Sequence, residues 1–193
     1  KGAIWSSVVA GLLVIPQIAV AADNGNDLIF FQGTIQPSPG TVTSPSGREI
    51  LLPGSEYNVN NSVYDGLGGR DILLASNLGD FLTGSALTDI EVFVLGNGSD
   101  FLDLAGARYT EPGTEVEVSG GASDDIIFAA GLLGNNLKVR AYGSSGDDYI
   151  ETGDTDDEVF GEGDNDTLIT GGGNDKLNLS LGNDYAAGGT GSD

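Results

Sequence analysis

The sequence predicts an all-β chain wound as a coil of repeated half-turns, and three observations carry that expectation. The last 51 residues, 143–193, divide into lines of nine: GSSGDDYIE, TGDTDDEVF, GEGDNDTLI, TGGGNDKLN, LSLGNDYAA and the cut-off GGTGSD. The sixth position of every line is Asp: Asp148, Asp157, Asp166, Asp175, Asp184 and Asp193. The eighth position is apolar wherever it exists, at Ile150, Val159, Leu168, Leu177 and Ala186. A period this strict marks a repeat architecture.

The chain divides into three parts. Residues 1–22 (KGAIWSSVVAGLLVIPQIAVAA) have a basic start, an apolar run and a small-residue Ala19-Val20-Ala21 site, which is the layout of a secretory signal. Ser6, Ser7, Pro16 and Gln17 interrupt the run and make it a poor spanning helix. Two readings stand, a leader or an apolar segment retained between subunits, with Trp5 as an interface anchor; both point outside the cytoplasm. Residues 23–142 read as irregular coils. They hold a Pro/Ser-rich insertion at 33–61, with Pro37, Pro39, Pro45 and Pro53, where turn chemistry disfavours regular ladders apart from a short strand at Glu49 to Leu52. Residues 143–193 are the regular part.

The irregular part carries weaker copies of the same pattern. Asp27, Asp71, Asp80, Asp100 and Asp125 each follow a Gly- or Asn-rich turn and precede an apolar pair. Alternating runs lead into the later copies, at Glu91-Val92-Phe93-Val94, Glu115-Val116-Glu117-Val118 and Lys138-Val139-Arg140-Ala141. Alternation at period two places one face in and one face out. From Asp80 through Asp100, Asp125, Asp148, Asp166 and Asp184 the steps are 20, 25, 23, 18 and 18. Eighteen is two nines, one full turn of a two-sided coil. The longer steps are the same turn with extra residues on one side, at Arg108 to Pro112 and Leu132 to Asn136. Asp157, Asp175 and Asp193 form a second row, which Asp71 begins at the other end.

Composition narrows the function. Against 7 basic residues stand 29 acidic ones, a formal charge of −22, which argues against a nucleic-acid partner. With 39% apolar residues recurring in register, the chain has a core to bury, and bound cations would cancel its self-repulsion. No Cys and no His exclude disulfides, the usual zinc sites and the Ser-His-Asp triad. The pairs Asp124-Asp125 and Asp147-Asp148 do not need a glycosidase reading, which requires carboxyls held apart across a cleft. An enzyme is not expected, nor a small-molecule substrate.

The lines of nine resemble the calcium-binding nonapeptide of RTX (haemolysin-type) proteins, G-G-x-G-x-D-x-U-x. The match is close at TGGGNDKLN, residues 170–178, and at GGTGSD, residues 188–193. The resemblance implies a parallel β-solenoid (β-roll), in which each GGxGxD half is a calcium-binding turn and each xUx half a short strand. It implies that turns two nonapeptides apart share ions. Asp148, Asp166 and Asp184 then form one ladder, extended by Asp80, Asp100 and Asp125. Asp157, Asp175 and Asp193 form the opposite one. Carbonyls of the first and third turn positions complete the shells, at Gly143, Gly161, Gly163, Thr170, Gly172 and Gly188. Thr155 and Asp164 depart from the fourth-position Gly, and Leu179 and Leu181 stand where small residues are usual.

Elementary chemistry agrees with calcium. The ion takes six to eight hard oxygens from carboxylates and carbonyls, and glycine frees the backbone to aim them. Magnesium holds its water and wants a tighter octahedron. For Asp27, Asp71 and Asp80 taken singly, a plain turn former is the competing reading. Glu151, Asp154, Glu158 and Glu162 read as solvated outer-face charges. Tyr149 and Tyr185 read as outward surface residues.

The expected function is structural: a secreted, calcium-stabilised subunit that self-associates head to tail into an extracellular filament or surface layer. The unfinished turn at Asp193 and the apolar segment 1–22 would be the mating ends, with attachment to a cell surface a further option. The alternatives are the calcium module of a larger secreted RTX toxin or enzyme, and an ice-binding or adhesive solenoid using Asn165, Asn174 and Asn183.

Overall fold

The computed structural model describes residues 20–21, 25, 28–30, 34–37, 41–43, 45–46, 49–51, 56–59, 64–84 and 87–193. The expectations for Asp27, Trp5 and all of residues 1–22 except Val20 and Ala21 lie outside the described residues.

Short parallel strands stack into two long sheets. The first contains β2 (Leu28–Phe30), β8 (Ile72–Leu74), β11 (Val92–Asn97), β13 (Glu115–Ala122), β15 (Lys138–Ser145), β17 (Glu158–Gly163) and β20 (Lys176–Asn178), in that spatial order. The second runs β3 (Thr34–Pro37), β6 (Glu56–Val59), β9 (Asp80–Thr83), β12 (Phe101–Asp103), β14 (Ile126–Ala129), β16 (Tyr149–Thr152), β18 (Thr167–Ile169) and β21 (Tyr185–Ala187). Each coil contributes one strand to each sheet, the arrangement of an all-β parallel solenoid.

Register explains why the apolar eighth position recurs. On the first sheet Ile29, Leu73, Phe93, Val118, Ala141, Val159 and Leu177 fall in one column. On the second, Leu82, Leu102, Ile127, Ile150, Leu168 and Ala186 do the same. The two columns face each other as a single buried core, sealed from water except near the last coil. A three-residue strand cannot bury its inward side chain alone, so each coil is stabilised by its neighbours.

The extra residues of the upstream coils build a third side. β1 (Val20–Ala21), β7 (Tyr64–Asp65) and β10 (Leu87–Thr88) pair in parallel, and bridges Thr88↔Arg108↔Leu133 continue the column. Behind it lie the buried side chains of Tyr64, Leu87, Ala107, Tyr109 and Leu137. Steps of 20 to 25 residues are thus three-sided coils, and steps of 18 are two-sided.

The described residues of segment 33–61 include four strands, where composition led to the expectation of only one. β3 pairs antiparallel with β6, and β4 (Thr41–Thr43) with β5 (Glu49–Leu51), giving a hairpin around the turn at Pro45 and Ser46. A last small sheet pairs β19 (Gly172–Gly173) with β22 (Thr190–Gly191).

The outer faces differ. On the first sheet Glu117, Arg140, Glu158 and Lys176 alternate in sign along one column, and Glu158 contacts Lys138, Arg140 and Lys176 at 2.9 to 3.1 Å. These three cations hold its carboxyl down at about 2, which fits a surface charge. Asp154 and Glu162 are exposed as expected. Glu151 is not: it is 3% exposed, because the hairpin turn lies on it. Tyr149 points outward yet is buried, packed in a cluster with Phe128, while Tyr185 is exposed.

Ile150 is fully buried in the second-sheet column. Ile150→Ala should cost about 3 kcal/mol, since truncating a close-packed core side chain leaves a cavity. Urea unfolding in saturating calcium reads this, and a loss below about 1 kcal/mol would contradict the stacked core.

Candidate metal centre

The turns between the sheets position the carboxylates. At the end nearest the second sheet, register places Asp80, Asp100, Asp125, Asp148, Asp166 and Asp184 in one column, one per coil. Each backbone N–H in the column donates to the Oδ1 of the next: Asp80 to Asp100 at 2.7 Å, Asp100 to Asp125 at 2.8 Å and Asp125 to Asp148 at 2.8 Å. Asp148 to Asp166 follows at 3.0 Å and Asp166 to Asp184 at 2.9 Å. The uneven spacing of 20, 25 and 23 does not break the ladder, because the insertions leave at the third side.

The opposite end is interrupted. Asp157 donates to Asp175 at 2.9 Å and Asp175 to Asp193 at 3.2 Å. Upstream of Asp157 the same column holds Val139 and Val116, then Glu91 and Asp71. The Val139 N–H still donates to Asp157 at 2.9 Å, and Asp71 N–H to the Glu91 carboxylate at 2.8 Å. Sequence reading placed Asp71 in this row and missed Glu91, whose longer side chain occupies an Asp position. The signal was available, since Glu91 stands one residue before a strand as Asp71, Asp157 and Asp175 do.

Oδ1 is thus used by the fold, and Oδ2 is left over except at Asp80, where the Ser76 N–H donates to it at 2.6 Å. In Asp100, Asp125, Asp148, Asp157, Asp166 and Asp175 the Oδ2 atom is buried without a hydrogen-bond partner. A buried anionic oxygen in that state is costly and asks for a ligand. Facing it in Asp125, Asp148 and Asp166 is a first-position glycine, whereas Leu95, Thr152 and Thr170 hold that position before Asp100, Asp157 and Asp175. A methyl carbon on Gly120 would sit 2.5 Å from Asp125 Oδ2 and 2.9 Å from the Gly143 carbonyl of the next coil. One on Gly143 would press on Asp148 Oδ2 and lie 2.9 Å from the Gly161 carbonyl. Carboxylate and carbonyl oxygens therefore converge on gaps that only glycine leaves open. Gly66, between the Asp71 carboxylate and the Asp89 carbonyl, repeats the arrangement, and Gly161 and Gly188 repeat its carboxylate half with Asp166 and Asp193. Among the described residues no three acidic side chains converge on one point, so carbonyls must supply most of each shell. That donor set suits calcium.

The remaining expected positions differ in detail. Thr170 stands at a first position with its hydroxyl donating to the Gly188 carbonyl at 2.9 Å. Gly163 and Gly172 lie at third positions, in β17 and β19. The fourth position is left-handed at Gly146 (φ 125°) and Gly173 (φ 132°), and Asp164 adopts φ 73° there without being glycine. Such a residue costs of order 1 kcal/mol, which the surrounding ladder must offset. Thr155 is not left-handed; its hydroxyl instead donates to Asp157 Oδ1 at 2.7 Å. At the exposed fifth position the Asn183 and Asn165 amides hydrogen-bond to each other, and Asn174 bonds to Asp156.

Burial is the main cause that raises the carboxyls. It pushes Asp100 up to about 9, Asp125 to about 8 and Asp148 to about 7, against the lowering effect of the N–H each accepts, with ladder neighbours adding repulsion. Asp157 and Asp166 are raised for the same first reason. A stack of buried carboxylates is unstable unless it is protonated or carries cations.

A family model of the RTX calcium-binding nonapeptide repeat, in four copies, matches residues 142–177 and 160–193. The resemblance read from the lines of nine therefore holds for this segment, and calcium is its metal. Comparison with curated proteins and with solved structures finds no match to the chain.

Asp166 bonds to both neighbours in its ladder, so Asp166→Ala should lower calcium stoichiometry and melting temperature by loosening two coils at once. Unchanged values in both, by metal analysis and circular dichroism, would count against a shared ladder. Gly143→Ala should lose calcium while keeping every Asp, because its methyl fills the gap.

A second expectation concerns pH. The raised carboxyls keep their protons in the folded coil and lose them in the unfolded chain from the ordinary value of 3.8 upward. The folded state then binds more protons, so in chelator stability should fall as pH rises from about 4 to about 8. Calcium displaces those protons and should bind more tightly over the same range. Melting curves in chelator and in calcium check both signs.

Proposed function

With residues 142–193 carrying RTX calcium-binding repeats, we propose that the chain is a calcium-stapled structural element that works outside the cell and associates end to end into a filament or surface layer. The observation that carries the reading is the continuity of the first ladder. The same Asp, the same N–H and the same register recur from Asp80 to Asp184, well beyond the segment that matches the family model. A solenoid of this kind has one use of calcium per coil and no preferred place to stop. The outermost coil of any such stack offers unpaired strand N–H and C=O groups of the kind that recruit further strands.

The proposed action is mechanical. The buried carboxylates look onto glycine Cα atoms and carbonyls of the next coil, where an ion fits and a substrate does not. A site assembled from few charges and many carbonyls falls among weaker calcium sites, and extracellular modules bind at about 10⁻⁴ to 10⁻³ M. Such a chain would stay unstapled in a low-calcium cytoplasm and set on export. A second reading, the calcium module of a larger secreted protein, is favoured by the family match being to the repeat alone.

Electron micrographs of the purified chain with calcium and with chelator separate the two readings. Straight, chelator-sensitive fibres are expected; particles of one subunit at every calcium concentration would reject end-to-end assembly.

A further inference from the structure

The second sheet breaks the one-face-in pattern. Burial alternates along β13 and β15 of the first sheet, but β14 and β16 are buried at all four of their positions. The outward residues Phe101, Ile126, Phe128 and Tyr149 form an apolar cluster separate from the core, with Phe81 and Ile169 against it. Their rings make a ladder across the coils. Phe81 stacks on Phe101 with centroids 4.5 Å apart, Phe101 meets Phe128 edge-on at 5.5 Å, and Phe128 meets Tyr149 at 6.0 Å. Aromatic rings on the outside of a sheet are hidden from water only under a cover.

The turn of the β4–β5 hairpin is part of that cover. Pro45 lines a cavity with Asp103, Phe128 and Ala130. The Ser46 N–H donates to Glu151 at 2.5 Å and its hydroxyl donates to the same carboxylate at 3.1 Å. The Tyr149 hydroxyl donates to Glu151 at 2.9 Å, which ties the carboxylate to the ring ladder. Glu151 is thus a buried carboxylate on an apolar face, stabilised by donors of which the hairpin supplies two. It stands three residues beyond Asp148, on the strand that leads out of a ladder turn.

We infer that the turn of the β4–β5 hairpin, at Pro45 and Ser46, is a strap that closes over the aromatic face of the second sheet, with Glu151 as its catch, and that calcium sets the catch by ordering the coil that carries it. This rests on the calcium reading of the Asp148 turn. Calcium therefore does two things: it staples the coils, and it brings the strap down across them from a point far upstream in the chain. Without the ion the catch is not held in place, the strap lifts, and the rings become available to other apolar surfaces.

The chain has no cysteine, so Pro45→Cys with Ala130→Cys gives a clean thiol pair across the cavity. Crosslinking by a short bis-maleimide should be at least ten times faster in calcium than in chelator. In calcium, Glu151→Ala on the same background should raise the open fraction, read as lost crosslinking and gained binding of the dye anilinonaphthalene sulfonate, by about tenfold. That is the factor carried by about 1.4 kcal/mol, the scale of one lost hydrogen bond to a charged group. Equal crosslinking with and without calcium, or a Glu151→Ala chain that crosslinks and binds dye like its parent, overturns the inference. Metal content measured on the same samples tells a failed strap, where calcium is bound and the thiols do not join, from a failed calcium site, where no metal is retained.

Discussion

Everything in this fold depends on one constraint: carboxylates of like charge must stack, one coil above the next, in a place that water does not reach. Coils in a parallel sheet repeat about every 4.8 Å. At an effective dielectric of about 20, two unit charges at that spacing repel by roughly 3 to 4 kcal/mol. The backbone relieves a part of this by donating each Asp N–H to the Oδ1 of the next Asp. From Asp100 to Asp166 it does nothing for Oδ2, and at Asp125, Asp148 and Asp166 the first-position glycine leaves that oxygen room for a ligand. A divalent ion between successive coils reverses the sign of the interaction and supplies the missing partner. The repeat is best read as a rule for leaving that space open.

The two ends of each coil obey the constraint in different ways. At one end the Asp column is unbroken through six coils from Asp80 to Asp184. At the other, the middle coils put Val116 and Val139 where the last coils put Asp157 and Asp175. Those middle coils carry a third side, with Tyr109 and Leu137 buried behind it and the Tyr109 hydroxyl donating to the Ile90 carbonyl at 2.9 Å. A turn can be closed by an apolar side of several extra residues, or by a tight glycine turn and an ion. The longer solution needs no metal at that end, although the first ladder of the same coils still leaves Asp100 and Asp125 Oδ2 without a partner.

Much of this was legible because it is periodic. The nines gave the second-sheet column directly. The upstream members Asp100 and Asp125 were found from steps of 25 and 23 because each Asp still preceded an apolar pair. What stayed hidden depends on contacts between distant segments. Extra residues at 108–112 and 132–136 read as a lengthened side of the same turn and not as a third sheet, since nothing local says that Arg108 and Leu133 will pair across coils. Glu151 read as a solvated charge because its outward position is correct; only the hairpin 105 residues upstream buries it. Glu91 was missed because a Glu was not expected to fill an Asp position, although its register is that of the row.

The distribution of apolar and ionic closure gives the coil a direction. Three-sided coils bury the extra apolar side chains of the third side, among them Tyr109 and Leu137, a stabilisation that does not depend on calcium and adds to that of the ion. Two-sided coils have one inward residue per strand, Val159 with Leu168 and then Leu177 with Ala186, and the last pair is partly open to water. Nearest-neighbour stability in a solenoid means that a weak coil is held by the stronger one beneath it. The three-sided part therefore serves as a template of fixed register on which the ion-dependent coils add. Each added coil completes the oxygen shell of the one before, because the Gly143 carbonyl faces Asp125 and the Gly161 carbonyl faces Asp148. Metal binding and coil formation are consequently the same step, taken once per turn, and the regular repeat at 143–193 lies where the chain has no other means of taking it.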